Sequence, residues 1–331
     1  MVKGLARYLL GKKGRHVTET ANELEIVFAT DFHGSTEMWS KFATLVAEVR
    51  PDLAIAGGDF KGKALAVAEG IRPDAWQVKY PSSRVLDAGE VLTWTEDIAR
   101  QGIYAARVSQ RQSQQLAVDE DYAEGFLMEA ARLRLRTWAQ EARTLKQYCG
   151  RLMLVPGNDD GPEMTGAIRE IDPSLSDEHV RIGEWDVISV GTTPPTPWKT
   201  PGEAEESEIL AEVSALLDQT RRCDSTVLVA HSPPYNTLLD IGPDLDEEMR
   251  VRTAGGRQRT KHIGSRAIRE ILITRGPLIS LHGHVHESRG IQYLGRTLAL
   301  NPGSEYSGGT LTAAHIRAVP GKVIDSRIIS R

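Results

Sequence analysis

Seven residues able to bind a metal close short apolar runs: Asp31 and His33 in EIVFATDFHG, Asp59 in LAIAGGDF, Asn158 in RLMLVPGNDD, His231 in STVLVAHSPP, and His284 with His286 in PLISLHGHVH. Carboxylate, imidazole and amide oxygen together suit borderline divalent metals such as Mn, Fe or Zn, and the absence of thiolate argues against a structural cysteine site. Seven donors are too many for one ion. Two ions about 3.5 to 4 Å apart, bridged by a shared carboxylate, would use them all, and such a pair can activate a hydroxide for attack on a phosphorus centre while polarising its oxygens. Each motif alone is common, since D-x-H also forms surface turns and G-H-x-H also packs in cores. The signal is the set of five, in order, each closing a strand.

The runs that carry these residues are 4 to 7 apolar residues long, which predicts strands buried on both faces, as in a helix-covered sheet. WDVISVGTT belongs with them. Helical patterns over 36–49, 204–220 and 265–275 lie between the runs, so strands and helices alternate as in a layered α/β fold. Loops beyond the carboxyl ends of such strands are where sites assemble, which brings the donors to one sheet edge. Towards the C-terminus, IQYLGRTLALNPGS, TLTAAHIRAV and KVIDSRIIS read as strands joined by short turns, an antiparallel region closing the fold.

From about 62 to 147 no strand signal is evident, and segments near 87–115 and 120–149 have helical composition. Phe126, Ala130, Leu133, Trp138, Ala142 and Leu145 are spaced by 4, 3, 5, 4 and 3 residues, one helical stripe. The expectation is an inserted helical hairpin or lid, with the stripe docking it on the domain. A substrate-covering role, or self-association into a homo-oligomer through the insertion, is the other use of such a face.

The chain has 331 residues, 40% hydrophobic and 26% charged, enough for one large domain with an insertion. The domain is expected over 23–331, preceded by a basic segment over 1–22 that contains Lys3, Arg7, Lys12, Lys13 and Arg15 and reads as a disordered start or a weak surface-binding arm. A net charge of -5 provides no basic field for nucleic acid as a general partner. Cys149 and Cys223 have neither metal spacing nor a disulfide framework, which suits a reducing compartment. No run approaches the roughly 18 apolar residues of a membrane span, and LARYLLG is too short and too charge-flanked for a secretory signal, so a cytoplasmic protein is expected.

The order DFH, GGD, GND, HSPP, GHVH resembles the calcineurin-like metallophosphoesterases, whose pattern is D-x-H, G-D, G-N-H-[DE], H and G-H-x-H. The resemblance spans Asp31 to His286 and implies a four-layer α/β/β/α sandwich with a two-metal centre at the sheet edge. It implies that Asp31, His33 and His286 hold one divalent ion, that Asn158, His231 and His284 hold the other, and that Asp59 bridges them. NPGS at 301–304 matches a feature recurring in bacterial and archaeal members, read as a turn supporting the site.

One position departs. Where the family carries the His that stabilises or protonates the leaving oxygen, this chain has Asp159. A carboxylate with a pKa near ~4 is a poor proton donor at neutrality, and its charge repels phosphate. Asp160 matches the family's following acid, an orienting group. A phosphodiester carries one charge instead of two and meets less repulsion, so the expectation is a dinuclear-metal phosphodiesterase acting on a small nucleotide-like or cyclic diester. A phosphomonoesterase or nucleotide pyrophosphatase is the alternative within the fold, and a non-catalytic interaction module the alternative outside it. His282 would point with His284 and His286 by strand alternation, as a support or as packing. Candidate substrate contacts are Tyr235 and Asn236 after HSPP, and Arg259 and His262 in a basic loop before Ser265, a helix cap whose amino end suits an anion.

Overall fold

The computed structural model describes residues 22–331, so all but the last residue of the expected basic segment lies outside the described residues. The Leu24–Thr30 strand is buried along its whole length because it has a covered surface on each side. Ile26 and Phe28 point one way, into a core shared with Ile55, Met153, Val187, Val229, Leu281 and Leu300. Val27 and Ala29 point the other way, against Met38, Phe42 and Leu45 of the Thr36–Val49 helix. Side chains alternate across a strand, so a strand between two cores reads as an unbroken apolar run.

The first sheet has the order Lys322–Ser330, Thr312–Val319, Leu24–Thr30, Leu53–Gly57, Arg151–Val155, with the last three parallel. The second has the order Gly290–Leu294, Thr297–Asn301, Ile279–Leu281, Thr226–Ala230, Trp185–Val190, His179–Ile182, with the middle four parallel. The two sheets pack on the shared core, and helices Glu206–Leu217 and Arg266–Thr274 cover the far face of the second through Ile209, Val213, Ile268 and Ile271. The architecture is therefore the α/β/β/α sandwich expected. The C-terminal strands do not form one antiparallel region: Gly290–Leu294 with Thr297–Asn301 ends the second sheet, and Thr312–Val319 with Lys322–Ser330 ends the first. Among the described residues no helix is long and apolar enough to cross a membrane.

The stretch between 62 and 147 corrects the all-helical expectation. It holds the helices Ala88–Arg100, Gln110–Val118 and Glu120–Leu145, but also a four-stranded sheet ordered Arg84–Asp87, Ala75–Val78, Ala64–Arg72, Ile103–Ser109. Alanines at 66 and 68 carry the buried face of its central strand, with Val78, Leu86 and Trp94 packed above them, so the hydrophobic signal there is weak. The stripe on Glu120–Leu145 is also displaced: Leu133 is 67% exposed, and the docked residues are Ala131, Leu135, Trp138, Ala139, Ala142 and Leu145. Trp138 stacks on Trp39 at 5.1 Å and meets Phe32 and Phe60 edge-on, which fastens this helix to the segments that follow Asp31 and Asp59.

Candidate metal centre

Parallel strands end side by side, and the chain must turn sharply off each end. Asp31, His33, Asp59 and His284 all sit at these turns with positive φ of 56°, 40°, 49° and 65°. That left-handed region is uncommon for residues other than glycine and clusters at functional sites. Backbone hydrogen bonds lace the turns together: His33 donates to the Asp59 carbonyl at 2.8 Å, and Gly283 to the His231 carbonyl at 3.0 Å.

The side chains converge. His33 Nε2 lies 3.0 Å from His286 Nε2, which lies 3.3 Å from Asp31 Oδ1. His231 Nε2 is 3.4 Å from Asp59 Oδ1, and His284 Nδ1 is 3.0 Å from Asn158 Oδ1. Donors bound to one ion at roughly 2.1 Å stand about 3.0 to 3.4 Å apart, the edge of an octahedron or tetrahedron. The observed separations match such edges. Asp31, His33 and His286 form one group able to hold a metal, Asp31, Asp59 and His231 a second, and His33, Asp59 and Asp159 a third. His231 Nε2 is buried without an aligned hydrogen bond, an atom whose surroundings suit a cation.

Electrostatics agree with this reading. Burial raises Asp31, but His286 and His231 beside it outweigh that and hold the carboxyl down to about 2. Asp59 is likewise buried, and His231 and His33 bring it well below the usual carboxylate range. Burial lowers His231, yet Asp59 and Asp31 push it up to about 9. At His33 and His284 burial prevails, leaving them at about 3 and about 4. The buried anions thus favour a proton on His231 and on His286, and a divalent ion would displace such protons on binding.

The supports are equally specific. Asn158 Nδ2 donates to Thr200 Oγ1 at 2.7 Å, which leaves its oxygen facing His284. Asp160 accepts from the Phe60, Lys61 and Gly157 amides at 2.8, 2.9 and 2.8 Å, and burial together with nearby Asp59 raises it to about 7. His282 is fully buried, and its Nδ1 bonds the carbonyls of Ala230 and Ser232 on either side of His231. In NPGS, the Asn301 amide donates to Val285 O, and Ser304 Oγ donates to Asp31 O, joining the two ends of the motif set. A Cβ at Gly58, which has φ +52°, would overlap the His231 ring. Gly58→Ala is accordingly expected to lower Mn affinity about 10- to 100-fold with an unchanged circular dichroism spectrum. Calorimetric titration checks it, and wild-type affinity would refute the packing argument.

Asp159 reaches the cluster. Its amide donates to Asp59 Oδ1 at 3.0 Å, its Oδ2 lies 3.9 Å from His33 Nδ1, and Lys63 Nζ stands 3.0 Å away on the other side. Burial and Asp59 raise its pKa while Lys63 opposes them. The remaining candidates gather elsewhere: His262 Nδ1 bonds Asp240 Oδ1 at 2.8 Å, Asn236 N donates to Asp240 Oδ2, Arg259 faces Asp244, and Tyr235 lies under Arg266. Their hydrogen bonds and ion pairs run to Asp240, Asp244, Arg252, Ser265 and Arg269 rather than to the donor cluster. The Ser265 cap forms, but Glu206 already occupies that helix end, accepting from Arg266 N and Ala267 N, so it is not open to an external anion. Sequence reasoning overlooked Lys63, Thr200 and Tyr306, whose ring lies 4.6 Å from that of His33. Only Lys63 had a signal, its place just past GGD in GGDFKGK.

Together these features define an α/β/β/α sandwich whose strand ends carry a buried Asp/His cluster able to hold divalent metal. No protein-family model matches the chain. The uncharacterized protein MJ1162 of Methanocaldococcus jannaschii is 31% identical over 153 residues, 46% of this chain and 63% of that protein, so the chain matches under two thirds of this relative's length. One solved structure aligns over 93% of this chain and 98% of its own, at 15% identity and TM-score 0.52, a likeness of fold. TT1561 of Thermus thermophilus aligns over 89% and 98%, at 14% identity and TM-score 0.48. A structure described as a novel archaeal phosphodiesterase aligns over 93% and 100%, at 11% identity and TM-score 0.37.

Proposed function

We propose that this chain is a dinuclear-metal phosphoesterase that prefers phosphodiesters of small, nucleotide-like or cyclic substrates. In this reading Asp31, His33 and His286 would hold one ion, Asn158, His231 and His284 would hold the other, and Asp59 would serve both. Bound ions of this kind supply Lewis-acid polarisation of phosphoryl oxygens and a nucleophile at neutral pH. The protein's own share is to fix the donors: Asp160 pins the Asp59 turn, Thr200 orients Asn158, and His282 and Ser304 brace His231 and Asp31. The spacing of the donors and the order of the motifs that carry them support the metal reading.

The diester preference rests on Asp159. At the corner where the calcineurin-like pattern places an imidazole, this chain has a carboxylate paired with Lys63 at 3.0 Å. Partial burial lowers the pKa of Lys63, but Asp159 beside it works the other way and the net shift is upward, so this ammonium is less well matched to general-acid catalysis near neutrality than the imidazole the pattern places here. Dianionic monoesters with unactivated leaving groups suffer most. The same Lys63 favours the second reading, since it offsets the carboxylate charge that would repel a dianion. Turnover of bis-aryl against mono-aryl phosphate with Mn present separates the two. The diester is expected to have the higher kcat/KM, and a strong monoesterase preference would sink the first reading. A chain that retains no divalent ion and cleaves neither ester would be an interaction module.

A further inference from the structure

Lys63 is where the insertion meets the donor cluster. The five residues from Asp59 to Lys63 are held at successive points: Phe60 N and Lys61 N by Asp160, and Gly62 N by the Tyr104 hydroxyl at 3.0 Å. Gly62 also fits closely, since a Cβ there would overlap the Gly102 carbonyl oxygen. The Lys63 ammonium emerges from this braced turn 3.0 Å from Asp159 Oδ2, and its side chain is 54% exposed, so it faces both the cluster and solvent. It acts electrostatically on His33, Asp59 and His286. An ammonium has three donors, and the contact with Asp159 is an ion pair at 3.0 Å without an aligned hydrogen bond. The neighbouring Lys61 is committed differently, to Glu124 at 2.6 Å.

We propose that Lys63 contacts the phosphoryl group of the substrate and supplies, from the insertion, the positive charge that the calcineurin-like pattern supplies from an imidazole at position 159, with Asp159 as the anion that the phosphate competes with for the ammonium. The inference rests on the phosphoesterase reading and assigns the insertion a part in substrate binding beyond covering the domain. A fixed point charge suits phosphate because it stabilises oxygen charge without proton transfer.

The test uses the full-length Mn-loaded protein, with inorganic phosphate as the probe in calorimetry and metal content measured in parallel. Lys63→Gln is expected to weaken phosphate binding about tenfold at unchanged metal content, and Lys63→Arg to stay within about threefold of wild type. Asp159→Asn is expected to bind phosphate at least as tightly as wild type, because the ammonium loses a competing anion. If the pair were only a surface tie, Lys63→Gln and Asp159→Asn would lower thermal stability alike and leave phosphate affinity unmoved, which would overturn the inference. Loss of metal from Lys63→Gln would overturn it too, since the residue would then be holding the centre rather than the phosphate. Unchanged binding by Lys63→Gln in a wild type that does hydrolyse diesters removes this inference alone. A metal-loaded wild type that neither binds phosphate nor cleaves an ester removes the phosphoesterase reading and this inference with it.

Discussion

Asp59→Asn is expected to lower diester turnover by at least about 10³-fold and to reduce the metal retained per chain by about one ion. Asp59 lies within reach of both sides of the cluster, with Oδ1 3.4 Å from His231 Nε2 and Oδ2 3.8 Å from His33 Nε2, and Asp31 does so from its own turn, 3.3 Å from His286 and 3.9 Å from His231. Asparagine keeps its volume and can still accept the Asp159 amide, so the turn survives while the charge goes. Without that charge the strongest influence raising His231 disappears, and a cation between the groups loses a ligand to each side. The Lewis-acid contribution of an ion is worth several kcal/mol, and each ~1.4 kcal/mol is tenfold in rate. Steady-state kinetics on a bis-aryl phosphate and elemental analysis of the purified variant check both halves. A variant with wild-type metal content and turnover would remove Asp59 from the bridging role.

The second large effect is on folding. Asp160→Ala is expected to destabilise the metal-free protein by about 3 kcal/mol and, separately, to weaken metal binding. Three backbone donors, at Phe60, Lys61 and Gly157, point at one fully buried carboxylate. Each donor left without an acceptor costs about 1–3 kcal/mol. Against this, deletion relieves the burial and the Asp59 repulsion that raise Asp160 to about 7, so the net loss is smaller than the sum over three donors. Urea unfolding in chelator measures the first effect, and Mn titration of the folded variant the second. Asp160→Asn retains one oxygen for Phe60 and Lys61 but turns an amide towards Gly157, and it should fall between the two. Equal midpoints for Asp160→Ala and wild type would show that water or a shift of the turn replaces the carboxylate.

What could be read from the chain follows from how each part is buried. Leu24–Thr30, Arg151–Val155 and Thr226–Ala230 have cores on both sides, so their sequences are apolar almost without interruption and the polar residue after each marks a strand end. That pattern alone brings Asp31, Asn158 and His231 to one edge. The insertion's sheet is quieter because its central strand buries alanines and contains Glu69 and Gly70. Its partner Ile103–Ser109 does alternate, with Tyr104, Ala106 and Val108 buried, but it lies within a stretch of helical composition. The Asp159–Lys63 pair, and Thr200 behind Asn158, join residues 96 and 42 apart in sequence, contacts that no local pattern encodes. Glu206 shows the converse: a helix end that suits an anion by its own residues was taken by a carboxylate from another element.

The left-handed backbone at Asp31, His33, Asp59 and His284 bears on exchange kinetics. Four donors sit on turns whose backbones are tied to one another by interior hydrogen bonds, so the chain itself contributes to bringing them together. Capture would then require diffusion, loss of the ion's hydration water and release of the protons that neighbouring carboxylates favour on His231 and His286, with little rearrangement of the chain. Which metal would reside there then follows from supply and from the match of the ion to carboxylate, imidazole and amide donors, rather than from the ability of the ion to shape the protein around itself.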